Sequence, residues 1–165
     1  MDIWLEILSE PCEGKVTAQL VDEREKLWCL EEEMETHYSS GGGVQVNMPL
    51  SAGLEVAHLS TQSGVWQRGR VVGQVGEGVE IIYWDYPGLV RAHVSMLRSL
   101  DPKFTRLPAQ LVLVQSSQLA RRPHIGELVK LKKGGGKANQ TKSLPQLTEE
   151  ESFKRVVLAM MAREA

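Results

Sequence analysis

The strongest constraint on this chain lies between residues 54 and 94, where four β-prone runs follow one another with almost no room between them. Leu54 to Leu59, Trp66 to Val75, Val79 to Trp84 and Leu89 to Val94 are separated by Ser63-Gly64, Gly76-Glu77-Gly78 and Pro87-Gly88. Short apolar runs punctuated by glycine and proline are the pattern of successive antiparallel strands joined by tight turns. So few residues cannot build two layers. They can curl into a small barrel, which buries one face and leaves little free edge. A helical turn near Ser95 to Arg98 and the apolar run Leu111 to Val114 are expected to cover one end.

Upstream, Asp2 to Leu8 and Lys15 to Val21 read as a β-hairpin around Pro11-Cys12-Glu13-Gly14. Leu27, Leu30, Met34 and Tyr38 then recur at helical spacing among acidic neighbours, which predicts an amphipathic helix over about 23–39 with a solvated acidic face. Ser39-Ser40-Gly41-Gly42-Gly43 ends it, because glycine makes continued helix costly. Near the C-terminus, Thr148 with Glu151 three residues on forms a capping box. It starts a helix whose stripe is Phe153, Val156, Val157, Met160 and Met161, expected to fold back onto the domain.

Charge is unevenly spread. Asp22 to Glu35 holds Asp22, Glu23, Glu25, Glu31, Glu32, Glu33 and Glu35 against Arg24 and Lys26, whereas Arg121 to Lys142 holds seven basic residues against Glu127. Lys130 to Lys142, with Gly134-Gly135-Gly136 among the lysines, reads as a mobile basic loop; Lys130, Lys132, Lys133 and Lys137 are its candidate RNA contacts. Without interleaved aromatic residues for base stacking, such binding would be non-specific and salt-sensitive. The net charge of -2 does not suit a dedicated nucleic-acid binder.

Enzyme chemistry finds little footing. His37, His58, His93 and His124 lack metal-ligand spacing, Cys12 and Cys29 do not form a CxxC pair, and Gly136-Lys137 is followed by Ala138 where a phosphate loop has Ser or Thr. No catalytic residue, metal or cofactor is expected. The start of the chain, interrupted by Asp2 and Glu6, does not read as a signal peptide, and an intracellular location is expected.

Gly64-Val65-Trp66-Gln67-Arg68-Gly69-Arg70-Val71, then Tyr83-Trp84-Asp85-Tyr86, Leu97-Arg98-Ser99-Leu100 and Leu107-Pro108-Ala109-Gln110 together resemble the extended Tudor family. In that family a "G-x-W-Y-R-A" strand pairs with one ending in "D-Y-G-N", followed by "L-R-x-L" and "L-P-x-Q". The resemblance spans roughly residues 2 to 115, including the hairpin and helix, which are similar to the nuclease-like half that precedes the barrel. It implies an α+β, β-rich fold: a small five-stranded Tudor barrel plus a partial nuclease-like, OB-type half joined by a helix. The corresponding divisions are 1–52 for the nuclease-like half and linker helix, 53–108 for the barrel core, 109–128 for a return segment, 129–147 for the basic loop and 148–165 for the C-terminal helix.

The resemblance also implies function. Extended Tudor domains typically bind symmetrically dimethylated arginine in flexible tails of Piwi-class germline proteins, holding the weakly hydrated cation between aromatic faces. The four aromatic walls of that cage fall here on Thr61, Gln67, Tyr83 and Tyr86, and its asparagine on Gly88. Two walls and the amide are therefore missing. At about 1 kcal/mol per face and about 1.5–3 kcal/mol for the amide, the deficit is about 3–5 kcal/mol. Trp66 matches a packing aromatic, and Arg68 and Asp85 are expected to pair as a structural tie. The implied protein is a non-catalytic scaffold docking arginine-rich or methylarginine-containing tails in cytoplasmic germ granules of the small-RNA (piRNA) pathway, with a degenerate cage. The alternatives are a methyl-independent RNA adaptor acting through the basic loop, and a purely structural or dimerisation domain.

Overall fold

The computed structural model describes residues 2–119 and 121–132. The basic stretch from Lys133 onward and the expected C-terminal helix lie outside the described residues. The chain divides into two units, one made of Met1–Arg24 with Ala109–Ala165, the other of Glu25–Pro108.

The first unit is built on a four-stranded antiparallel sheet. Strands β1 (Asp2–Ile7) and β2 (Lys15–Leu20) form the expected hairpin, with Leu5 opposite Leu20 and Ile7 opposite Ala18. Its turn is two residues long, Glu13 and Gly14, both at positive φ (51° and 76°), between reciprocal backbone hydrogen bonds of Cys12 and Lys15. That is the primed turn whose twist matches the strands. Strand β8 (Leu111–Gln115) pairs along β2, and β9 (Leu128–Lys132) along β1, giving the order β8-β2-β1-β9. Alternation places Leu5, Ile7, Val16, Ala18, Val112 and Val114 on one apolar face.

This differs from the sequence expectation in two places. Leu111 to Val114, expected to cover one end of the barrel, is a strand of the first unit beside β2, and four consecutive apolar residues suit a strand buried on both faces. Lys130 and Lys132, expected in a loop, lie on β9 opposite Trp4 and Asp2.

The second unit takes in α1 (Arg24–Ser39) from its second residue onward, and the helix buries Leu27, Leu30, Met34 and Tyr38. It ends where predicted: Gly41 turns to φ 89°, and the N–H of Gly42 donates to the His37 carbonyl. Strands β3 (Glu55–Leu59), β4 (Trp66–Val75), β5 (Gly78–Tyr83), β6 (Leu89–His93) and β7 (Leu97–Ser99) form one antiparallel sheet in the order β6-β5-β4-β3-β7. The two edge strands are neighbours in sequence, joined by the 3₁₀ turn Val94–Met96. Four peptide steps reach about 14 Å at most, whereas the edges of a flat five-stranded sheet stand about 19 Å apart. The sheet must therefore curl, and a register shift between Val71 and Gly73 in β4 helps it bend.

Val46, Val56, Val71, Val79, Ile81, Tyr83, Ala92 and Leu97 fill the inside of the curl. Tyr38 ties the helix to the sheet: its hydroxyl donates to the Ser99 carbonyl at 3.0 Å and accepts the Asp101 N–H at 3.0 Å. Burial raises the pKa of that phenol, so it stays protonated as a donor at neutral pH.

Candidate functional site

The five expected cage positions have different surroundings. Tyr83 closes β5 inside the curl, buried, with its hydroxyl 2.8 Å from Nδ1 of buried His58 and the two rings stacked 5.9 Å apart. Burial lowers the pKa of His58 and raises that of Tyr83, so both are neutral at pH 7 and the pair is a core hydrogen bond. Thr61 is exposed in the β3–β4 turn, and Gly88 stands at φ 126°, a conformation that only glycine adopts readily. Tyr86 and Gln67 do meet, on the wall of one groove.

That groove has a volume of about 570 Å³ and lies between α1 and the β3–β4 turn. The helix contributes Trp28, Glu31, Glu32 and Glu35, spaced i, i+3, i+4 and i+7 and so sharing one face. The opposite wall is Ser63, Gly64, Val65, Gln67 and Tyr86. Its turn is held tightly: the N–H of Gly64 donates to the Ser60 carbonyl at 2.8 Å, the N–H of Ser60 to the Val65 carbonyl at 3.1 Å, and the N–H of Ser63 to the Ser60 hydroxyl at 3.3 Å. Trp28 is 56% exposed, unusual for an indole on a helix with a buried stripe beside it.

A hydrogen bond crosses the groove. The Tyr86 hydroxyl lies 2.9 and 3.0 Å from the two oxygens of Glu31, so the carboxylate straddles the phenol. Burial raises the Glu31 pKa; the Tyr86 hydrogen bond and Arg68 pull it back, while Asp85 adds to the rise. The groove thus joins two aromatic faces to three carboxylates, a combination suited to an organic cation.

Behind the groove wall sits a buried arginine. Arg68 is 1% exposed, and every N–H it has is used. Nε and Nη2 donate to the two oxygens of Asp85 at 3.0 and 2.6 Å; Nη1 donates to the carbonyls of Phe104 and Leu107; Nη2 also donates to that of Pro108 at 3.2 Å. The guanidinium lies 4.5 Å over the Trp84 ring. Arg68 and Asp85 are therefore the structural tie that their strands foretold, and Trp66 and Trp84 are buried packing residues.

Of the candidate RNA contacts, Lys130 is exposed on β9 with its ammonium 5.7 Å from the Trp4 ring centre. Lys132 is on the same strand, and Lys133 and Lys137 lie outside the described residues. Among the described residues no three His, Cys, Asp or Glu side chains are grouped to hold a metal. The sequence reading missed Trp28, although the Trp28, Glu31, Glu32, Glu35 spacing was there to be read as a second helical stripe.

The model of the Tudor domain family matches residues 3–117. Among solved structures, extended Tudor domain TD3 of mouse TDRD1, in complex with a MILI peptide containing dimethylarginine, superposes with TM-score 0.61 at 17% identity, over 68% of this chain and 58% of that one. The human TDRD1 extended Tudor domain, in complex with a symmetrically dimethylated peptide, gives 0.62 at 17% identity, over 68% and 57%. The Drosophila melanogaster Papi extended Tudor domain, with a Piwi N-terminal peptide, gives 0.60 at 20%, over 68% and 57%. The match thus spans less than two thirds of the length of these chains, and at such identities the likeness is one of fold. No curated protein sequence matches the chain.

Proposed function

The chain belongs to the Tudor domain family, and from that premise we propose that it is a non-catalytic interaction scaffold whose second unit docks arginine-rich or methylarginine-containing partner tails. The observation that carries this reading is the position of Tyr86: among the expected cage residues it is the aromatic one that lines a groove, beside the Glu31 carboxylate. Peptides carrying dimethylarginine in complex with structurally similar domains support the ligand class. Recognition of the methyl groups is weakened here, because Thr61 and Gln67 offer no ring, Gly88 no amide, and Tyr83 is spent on the His58 hydrogen bond. The setting we assign is the cytoplasmic granule of the germline small-RNA (piRNA) pathway, by family likeness.

Titrating matched arginine-rich peptides, unmodified and symmetrically dimethylated, tests the reading. Binding of at least one of them, with the two within about threefold of each other and both weakened in Tyr86→Ala, is the expected result. A tenfold or greater preference for the methylated peptide, lost in Tyr86→Ala, would show an intact cage; no binding of either would end the reading. Lys130, exposed beside Trp4, favours a second reading as a salt-sensitive RNA contact together with Lys132, Lys133 and Lys137. That contact should vanish when 130–142 is deleted.

A further inference from the structure

We propose that the face of β1 and β9 around Trp4, in the first unit, is a stacking platform for the bases of single-stranded nucleic acid, with Lys130 at its flank for the phosphates. This deepens the second reading above, on which it rests, and changes what is recognised. A basic run attracts any polyanion, whereas an aromatic face selects strands whose bases are free.

In the linear sequence the basic run has no aromatic residue among its lysines; the strand pairing supplies one. Trp4 stands directly opposite Lys130 in the register of β1 and β9, and Glu6 opposite Leu128. Alternate residues of a strand share a face, so Trp4, Glu6, Leu128 and Lys130 lie on one side of the sheet and the core residues Leu5 and Ile7 on the other. Trp4 is 39% exposed and Leu128 55%, and the Lys130 ammonium lies 5.7 Å from the indole ring centre. Two acidic residues flank Trp4 along β1. Glu6 is paired with Arg24 at 3.5 Å, and Asp2 lies opposite Lys132 in the register.

The occupant follows from shape and charge. A ring standing on a sheet face offers one broad surface, which rewards a planar partner. An unpaired base is such a partner, and the phosphate it carries meets the ammonium beside the ring. In a duplex the base faces are already stacked on one another and are closed to the indole. Residues 121–142 hold seven basic side chains against Glu127, which suits a polyanion and repels a basic tail.

The test uses the full chain and labelled probes of equal length, read by fluorescence anisotropy at one fixed salt concentration: a single strand as RNA and as DNA, the same strand made abasic throughout, its duplex, and an oligo-glutamate peptide. The intact single strand is expected to bind about fivefold tighter than the abasic strand, which has the same charge and no bases, and tighter than the duplex. The tighter of RNA and DNA names the source. Trp4→Leu keeps apolar bulk without a π face and should abolish the preference for bases, Trp4→Phe should keep it, and Lys130→Gln should weaken intact and abasic strands alike. The abasic comparison needs no variant, so it decides the matter even if Trp4→Leu lowers the melting temperature. Equal binding of intact and abasic strands, or binding of the duplex as tight as that of the single strand, would overturn the platform and leave the salt-sensitive RNA contact in place. Binding of oligo-glutamate as tight as that of the strands, and dependent on Trp4, would overturn it in favour of an acidic protein segment. Absence of binding by every strand would overturn both.

Discussion

Two side chains show how differently the fold treats charge. Arg68 is buried with all its donors used and its counter-ion Asp85 beside it, so it acts as a clamp on the segment ending at Pro108. Removing one member of such a pair leaves the other charged and buried, which costs about 3–5 kcal/mol. Arg68→Met should lower the denaturation free energy by that much in urea titration. Arg68→Lys should also destabilise, since an ammonium has three donors where five are used. Glu31 is the opposite case. Its pKa is raised, first by burial, with Asp85 raising it further and the Tyr86 hydroxyl and Arg68 opposing, so the folded protein holds that proton more tightly than the unfolded chain does. Stability then falls as pH rises from the ordinary value of 4.5 through the raised one. Glu31→Gln keeps an acceptor for Tyr86 and escapes that loss. Its melting temperature should exceed the parent's at pH 7, and the difference should close below about pH 4.5.

At the scale of elements, local pattern was a good guide wherever a period was repeated. The Leu27, Leu30, Met34, Tyr38 stripe marks α1 almost to the residue, and the Pro11-Cys12-Glu13-Gly14 turn marks the β1–β2 hairpin. The pairing of β4 with β5 followed from the glycine turn between them. What escaped was the second face of the same helix. Glutamates on a surface helix normally face water, so an acidic face reads as solvated, and only the turn packed opposite makes a groove of it. Tyr83 is ambiguous in the sequence, because a tyrosine at a strand end can pack the barrel or face a ligand, and the buried His58 that holds its hydroxyl lies 25 residues away. The β1–β2 turn gives a sharper test. Glu13 holds φ 51°, which a residue with a Cβ adopts at a cost and asparagine tolerates better. Glu13→Asn should stabilise the protein by part of the about 1–2 kcal/mol that a left-handed residue costs, read from the midpoint shift in chemical denaturation.

For the molecule as a whole, the informative fact is that the first unit is drawn from both sides of the second in sequence. Sequence order suggests that β1 and β2 belong to an N-terminal piece ending before the barrel. Pairing over about a hundred residues is invisible to any local window, so the sequence alone gives β8 no partner and makes β9 look like loop. A two-stranded hairpin is marginal in water, so β1 and β2 need their distant neighbours. A chain ending at Pro108 should show slow amide exchange in β3–β7 and fast exchange throughout 2–21; protection of that hairpin would show that it stands without β8 and β9.

The arrangement around Arg68 has one more effect. Every hydrogen on its three nitrogens already points at an oxygen, so no methyl could be attached there without ejecting an acceptor and unfastening the segment that it holds. The innermost arginine among the described residues is thereby kept out of the traffic in arginine methylation.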